Sequence, residues 1–212
     1  MIPPGAAPGG IFIGVSRILL ELGMQLWVGL GNPGPQYALN RHNVGFMALD
    51  VIADMHGFTP PKKQFQGWLQ EGRIGSEKIL LLKPATFMNE SGRSIRAALD
   101  FYKLSPQDVT VFHDELDLAP MKVKVKRGGG TAGHNGLRST DKHIGPDFRR
   151  VRIGIGHPGH KDRVHGYVLG NYHKSETDAL TDMLAAIGSE AEWLARNDDV
   201  RFMNDVAMRL AD

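Results

Sequence analysis

Two periods of apolar and polar positions alternate along this chain. Met24-Gln25-Leu26-Trp27-Val28 is a short apolar run that predicts a strand, and it breaks at Gly29-Leu30-Gly31-Asn32-Pro33-Gly34. Val44, Met47, Ala48, Val51 and Met55 then recur at helical spacing, predicting a helix over 43–56 with Asn43 placed to cap it. Residues 64–74 and 78–83 predict two strands around Gly75-Ser76, the second ended by Pro84. Ile95, Leu99 and Tyr102 fall on one side of a helix at about 91–102. "DVTVFHDELDL" predicts a strand that runs into an acidic turn. "MKVKVKRGGG" predicts a strictly alternating strand, and 151–155 a further one. Helices are predicted over 175–195 and 199–210. Strands and helices interleave without repeats or a long linker, so the class is α/β.

A length of 212 residues suits one domain with a sizeable core. Residues 1–23, "MIPPGAAPGGIFIGVSRILLELG", differ in character from the rest of the chain. They begin rich in Pro, Gly and Ala, lack the basic start of a signal peptide, and precede a second methionine, Met24, at the first clean strand. They are expected to be a disordered extension or a misassigned start, with the domain at 24–212. There is no cysteine, which excludes disulfides and thiol catalysis and fits a reducing cytoplasm. No apolar run reaches the ~18 residues of a membrane span.

The formal net charge of +2 is unevenly distributed. Residues 121–165 carry eleven Lys or Arg against three Asp or Glu, a net of +8, whereas 175–212 carry three against nine, a net of −6. On charge alone, a basic middle segment fits either a polyanionic partner or a solvated surface beside an acidic helix that offsets it. Its clearest part is the strand bearing Lys122, Lys124 and Lys126 on one side and Val123 and Val125 on the other, followed by Arg127 and three glycines.

Gly29, Gly31 and Gly34 match the dinucleotide fingerprint G-x-G-x-x-G. However, Pro33 and Pro35 remove two amides from the cradle, and Asp50 and Asp54, near the ribose-acid spacing, lie in a predicted helix. A sharp turn is the better reading: it can leave the Asn32 amide pointing into a cleft and returns the chain through Tyr37 to His42, either a plain helix cap or, as a residue suited to proton transfer near neutral pH, a base. Three more polar, amide-rich segments sit at element boundaries: Thr86-Phe87-Met88-Asn89, His113-Asp114-Glu115-Leu116-Asp117, and "GGGTAGHNGL" at 128–137, with His134 and Asn135. Ligand sites in α/β folds gather at strand ends. His157, His160 and His165 are the best metal candidates, but Pro158-Gly159 argues against a helical ligand pair and no H-E-x-x-H occurs. No G-x-S-x-G supports a serine nucleophile.

"GLGNPGPQY…RHNVGF", "PATFMNESG", "HDELDLAP", "GGGTAGHNGL" and "RRVRIGIGHPG" together resemble the blocks of bacterial peptidyl-tRNA hydrolases, in the family's order and over about residues 24–210. The resemblance implies a twisted mixed sheet surrounded by helices. It also implies a monomeric, metal-free and cofactor-free enzyme that cleaves the ester between a stalled peptide and tRNA. By this resemblance His42 is the base, Asp114 the acid that orients it, and Asn32 the residue that discriminates peptidyl-tRNA from aminoacyl-tRNA. Tyr37, Phe87, Asn89 and Asn135 would contact substrate, Lys126 and Arg152 would grip the tRNA phosphate, and about 128–170 would include a gate and lid. Asn40 stands where the family usually has Thr, and Thr131-Ala132 where it more often has His-Gly. An RNA-binding relative of the same fold without hydrolysis is the main alternative, and a nucleotide-dependent oxidoreductase the third reading.

Overall fold

A computed structural model describes residues 23–211, so the expectation for the N-terminal extension falls, apart from Gly23, outside the described residues. One seven-stranded mixed sheet forms the centre, in the order β2-β3-β4-β1-β5-β7-β6. Its strands are β1 (Met24–Gly29), β2 (Lys62–Gln64), β3 (Gly67–Ile74), β4 (Glu77–Pro84), β5 (Val109–Glu115), β6 (Val123–Arg127) and β7 (Arg149–Gly154). The inner four, β4, β1, β5 and β7, run parallel, while β3 and β6 flank them antiparallel.

The helices are α1 (Val44–Met55), α2 (Ser91–Tyr102), α3 (Asn135–Ile144), α4 (Val164–Val168), α5 (Thr177–Ser189), α6 (Ala191–Ala195) and α7 (Asp199–Arg209). Alternation along the inner strands sends side chains to two cores. Trp27, Phe112, Val151 and Ile153 join α1, α5, α6 and α7 on one face. Leu26, Val28, Leu80 and Val111 join α2 and α3 on the other.

Most elements stand where the pattern predicts them, and the differences have physical reasons. The predicted strand at 64–74 is two: β2 is separate, and Phe65 and Gln66 turn the chain with φ of 52° and 55°. The long helix predicted over 175–195 breaks at Glu190, after the weak helix formers Gly188-Ser189. There the Glu190 carboxylate accepts from Trp193 Nε1 and pairs with Arg209 of α7. Helix α3 is absent from the pattern because its buried face is mostly small: Gly136, Ser139 and Thr140 beside Leu137 and Ile144. It packs closely on α2, where a Cβ on Gly92 would lie 2.1 Å from Ser139 O.

The fingerprint glycines serve packing. A Cβ on Gly29 would stand 2.4 Å from Gly45 O, and one on Gly31 2.7 Å from the Phe46 ring, so both let α1 lie against the end of β1. Gly34 has φ +116°, open to glycine alone at little cost. Two loop amides are used internally: Leu30 N donates to Phe112 O and Asn32 N to Asn43 Oδ1. A pyrophosphate cradle needs such amides free.

Candidate active site

The carboxyl ends of β1, β4 and β5 deliver three loops to one end of the sheet, and a cleft of about 1070 Å³ opens there. All nine residues singled out in the sequence line it: Asn32, Tyr37, His42, Phe87, Asn89, Asp114, Lys126, Asn135 and Arg152.

At its floor, His42 Nδ1 lies 2.8 Å from Asp114 Oδ1, although the two residues are 72 positions apart. His42 comes from the helical turn Arg41–Asn43 ahead of α1, and Asp114 from the end of β5. Both are buried. A carboxylate only accepts, so Nδ1 of His42 carries the hydrogen and Nε2 is left as the proton acceptor. A second ring shares the same oxygen: His134 Nε2 lies 2.9 Å from Asp114 Oδ1. The tautomer of His134 is set by the backbone, because its Nδ1 accepts from Gly136 N and Leu137 N at the start of α3. The His42 and His134 rings are 4.8 Å apart.

The charges follow from this packing. Burial disfavours the imidazolium of His42, but the charge of Asp114 and its hydrogen bond outweigh burial and raise the pKa above 6.5. Burial would raise the Asp114 pKa, yet the two histidines hold it well below the usual carboxylate range. His113, next in the strand, faces the opposite influence. Complete burial and the neighbouring His134 push it down to about 3, against the pull of Asp114, so its ring is neutral. His113 Nδ1 donates to Asp114 O at 2.7 Å, while its Nε2 has no partner among the described residues.

Asn32 is clamped rather than merely turned. Its N–H donates to Asn43 Oδ1 and its C=O accepts from Asn43 Nδ2, each at 2.9 Å. Its own Oδ1 accepts from Met88 N at 2.9 Å, which fixes the amide's orientation and leaves the two Nδ2 hydrogens for the cleft. The capping role expected of Asn43 is corrected here. It holds the N-cap position of α1 but makes no side-chain cap bond, because its amide is spent on Asn32.

The basic wall comes from β6, β7 and the glycine loop. Of the three lysines on β6 and its approach, Lys126 lines the cleft, whereas Lys122 and Lys124 border a separate groove against α5 and α7. Arg152 donates Nε to Glu115 Oε2 at 2.8 Å, so part of its charge is compensated. Arg150, fully buried, donates to Gly130 O and pairs with Asp141, tying the glycine loop to α3. In that loop Ala132 has φ +46°, the left-handed region where glycine is at ease. Among the metal candidates, His157 Nδ1 accepts from Gly159 N and His160 Nδ1 from Asp162 N, both local turn bonds. Among the described residues, the group whose ligand atoms come within 4.8 Å of one another is His42, Asp114 and His134, already joined by hydrogen bonds.

His134 and His113 are residues that sequence reasoning leaves without a role, and Asn43 one to which it gives only a cap. His134 lies inside the motif "GGGTAGHNGL", and only its contact with Asp114 separates it from its neighbour Asn135.

The chain is similar to known proteins. Residues 26–211 match the family model described as peptidyl-tRNA hydrolase. The peptidyl-tRNA hydrolase of Sphingopyxis alaskensis is 78% identical over 187 residues, covering 88% of this chain and 99% of the relative. That of Erythrobacter litoralis is 76% identical over 187 residues, with the same coverage. The crystal structure of peptidyl-tRNA hydrolase from Acinetobacter baumannii superposes with a TM-score of 0.80 at 42% identity, covering 87% of this chain and 94% of that one.

Proposed function

The chain belongs to the peptidyl-tRNA hydrolase family, and from that premise we propose that it cleaves the ester between peptide and tRNA with His42 as the general base. His42 Nε2 takes a proton from water as the water attacks the ester carbonyl, and Asp114 stabilises the imidazolium that forms. His134, bound to the same carboxylate oxygen, keeps Asp114 ionised and aimed. The carbonyl oxygen becomes an oxyanion, for which the amides of Asn89 and Asn135 at the cleft wall are the donors; its collapse breaks the ester bond, and the imidazolium of His42 returns its proton to the departing ribose oxygen of the tRNA. Asn32 offers its free Nδ2 hydrogens to the peptide side and so favours peptidyl-tRNA over aminoacyl-tRNA. Tyr37 and Phe87 supply contact area at the mouth, and Lys126 and Arg152 meet the phosphate backbone.

The observation that carries this reading is the 2.8 Å contact between His42 and Asp114 at the floor of the cleft that all nine residues line. A monomer is the working form that the resemblance to the family implies. No described helix is long and apolar enough to cross a membrane. Action on tRNA from stalled translation is a cytoplasmic task, which supports that location. A binding-only relative has no use for a buried base held by an ionised acid, so that alternative is not favoured.

The test is release of blocked amino acid from an N-acylated aminoacyl-tRNA. Wild-type protein is expected to release it, and His42→Ala to lose about 10²–10⁴-fold in kcat with tRNA binding nearly intact. Near-normal turnover by His42→Ala overturns the role of the base.

A further inference from the structure

Arg41 precedes His42 in the same three-residue turn and is buried, but unlike His42 it does not line the cleft. Its side chain is 6% exposed. Its guanidinium donates Nη1 to Asn171 O and pairs through Nη2 with Glu176 Oε2, both at 2.5 Å. It also lies 4.7 Å from the Tyr167 ring centroid and 5.0 Å from that of Tyr172. All of these partners belong to one segment, 167–176, which runs from the last residues of α4 to the start of α5.

The backbone joins the same two pieces. Arg41 N donates to Gly170 O at 3.0 Å and Tyr172 N to Leu39 O at 3.3 Å. Asn40 and Asn171 form an isolated antiparallel bridge, with Asn40 Nδ2 donating to Asn171 Oδ1 at 2.7 Å. Val164, His165 and Val168 of α4, and Leu169 at its end, line the cleft. Tyr167 donates its hydroxyl to Ile155 O just beyond β7. The base and the α4 wall therefore meet at one buried side chain.

We propose that Arg41 is a positioning residue for the hydrolysis, holding the His42 turn against Asp114 and the α4 wall in register with it. The inference rests on His42 as the base. The anchor and the base are adjacent in the chain, so a shift of the turn passes to the imidazole without slack. A displacement of about 1 Å at a reacting group is enough to cost about 10²-fold. A guanidinium suits this place because its planar fork serves a carbonyl and a carboxylate at once while its faces meet two rings, which an ammonium cannot do.

The test is the pH profile of kcat/KM with Arg41→Lys and Glu176→Gln, each confirmed as folded by its melting transition. The titratable groups facing His42 are Asp114 from β5 and His134 ahead of α3, with His113 packed against His134. If Arg41 positions His42, Arg41→Lys lowers kcat by about ten- to a hundredfold with a smaller change in KM. The pH midpoint also moves down, because the imidazolium loses part of its contact with Asp114. Glu176→Gln, which keeps the shape but not the charge, is expected to fall between Arg41→Lys and wild type. Adding Arg41→Lys to His42→Ala should then cost little more. A folded Arg41→Lys with wild-type kcat and midpoint, or one that lowers only the melting temperature, overturns the positioning role. If His42→Ala itself keeps turnover, it is the base that fails, a distinguishable result.

Discussion

Asn43 holds Asn32 by both backbone groups at once, its Oδ1 accepting from Asn32 N and its Nδ2 donating to Asn32 O, each at 2.9 Å. Two buried residues eleven positions apart thus make the pairing of a two-residue strand with one side chain. The free amide edge of Asn32 is aimed into the cleft because its backbone cannot rotate.

Asn43→Ala should therefore leave two buried backbone groups unpaired, costing about 1–3 kcal/mol each in the extreme and lowering the melting temperature. Asn43→Asp is the sharper probe. It keeps the acceptor for Asn32 N but sets an oxygen against Asn32 O, so discrimination between peptidyl-tRNA and aminoacyl-tRNA should weaken more than stability does. Unchanged discrimination in a folded Asn43→Asp would show that the clamp does not serve Asn32.

His42 and Asp114 should behave as one unit in kinetics. Asp114→Asn is expected to lose less than His42→Ala, since the base survives but is poorly held. The double variant should be hardly worse than His42→Ala alone, because groups acting together are not additive. Single-turnover rates on an N-acylated aminoacyl-tRNA measure all four corners, and fully multiplicative losses would separate the two residues.

Activity should rise with pH through a midpoint above 6.5, since the base must be neutral and its pKa is raised. Asp114→Asn should move that midpoint down. Stability has the opposite slope there. A raised pKa for His42 contributes stability that is complete below its unfolded value and fades as pH rises through the folded one. His113 acts on the acid side: with its pKa at about 3, the unfolded chain binds one more proton between about 3 and 6.5, and stability falls as pH drops. That slope is up to about 1.4 kcal/mol per pH unit for one group. Denaturant titrations across pH should find it flatter in His113→Asn, and an unchanged slope would assign the acid sensitivity elsewhere.

Lys126 and Arg152 should differ in tRNA binding although both line the basic wall. Lys126→Ala is expected to raise KM with kcat nearly unchanged and to reduce the log–log salt slope by about one. Arg152→Ala should reduce it less, since part of the Arg152 charge is compensated, and also lower stability, because it strips Glu115 of its ion-pair partner. Equal salt slopes for both variants and wild type would remove the phosphate contact.

The sequence by itself determined the class of the fold, since burial on a strand or helix repeats with a period that the order of apolar residues reveals. The runs behind β1, α1, α2 and β5 carry that signal. It also singled out the candidate residues, because long blocks such as "RHNVGF" and "HDELDLAP" resemble those of a family, and the resemblance implies roles for His42 and Asp114. Tertiary structure alone decided the rest. Helix α3 buries small residues against Gly92, so its packing is a matter of close backbone approach rather than hydrophobicity. Asn43 is indistinguishable in sequence from a helix cap, since the same amide satisfies either a local N–H or the backbone of Asn32. His134 joins Asp114, and Arg41 joins the 167–176 segment, only because strand order and helix packing bring distant positions within about 3 Å, a distance at which hydrogen bonds exist and which no sequence separation encodes.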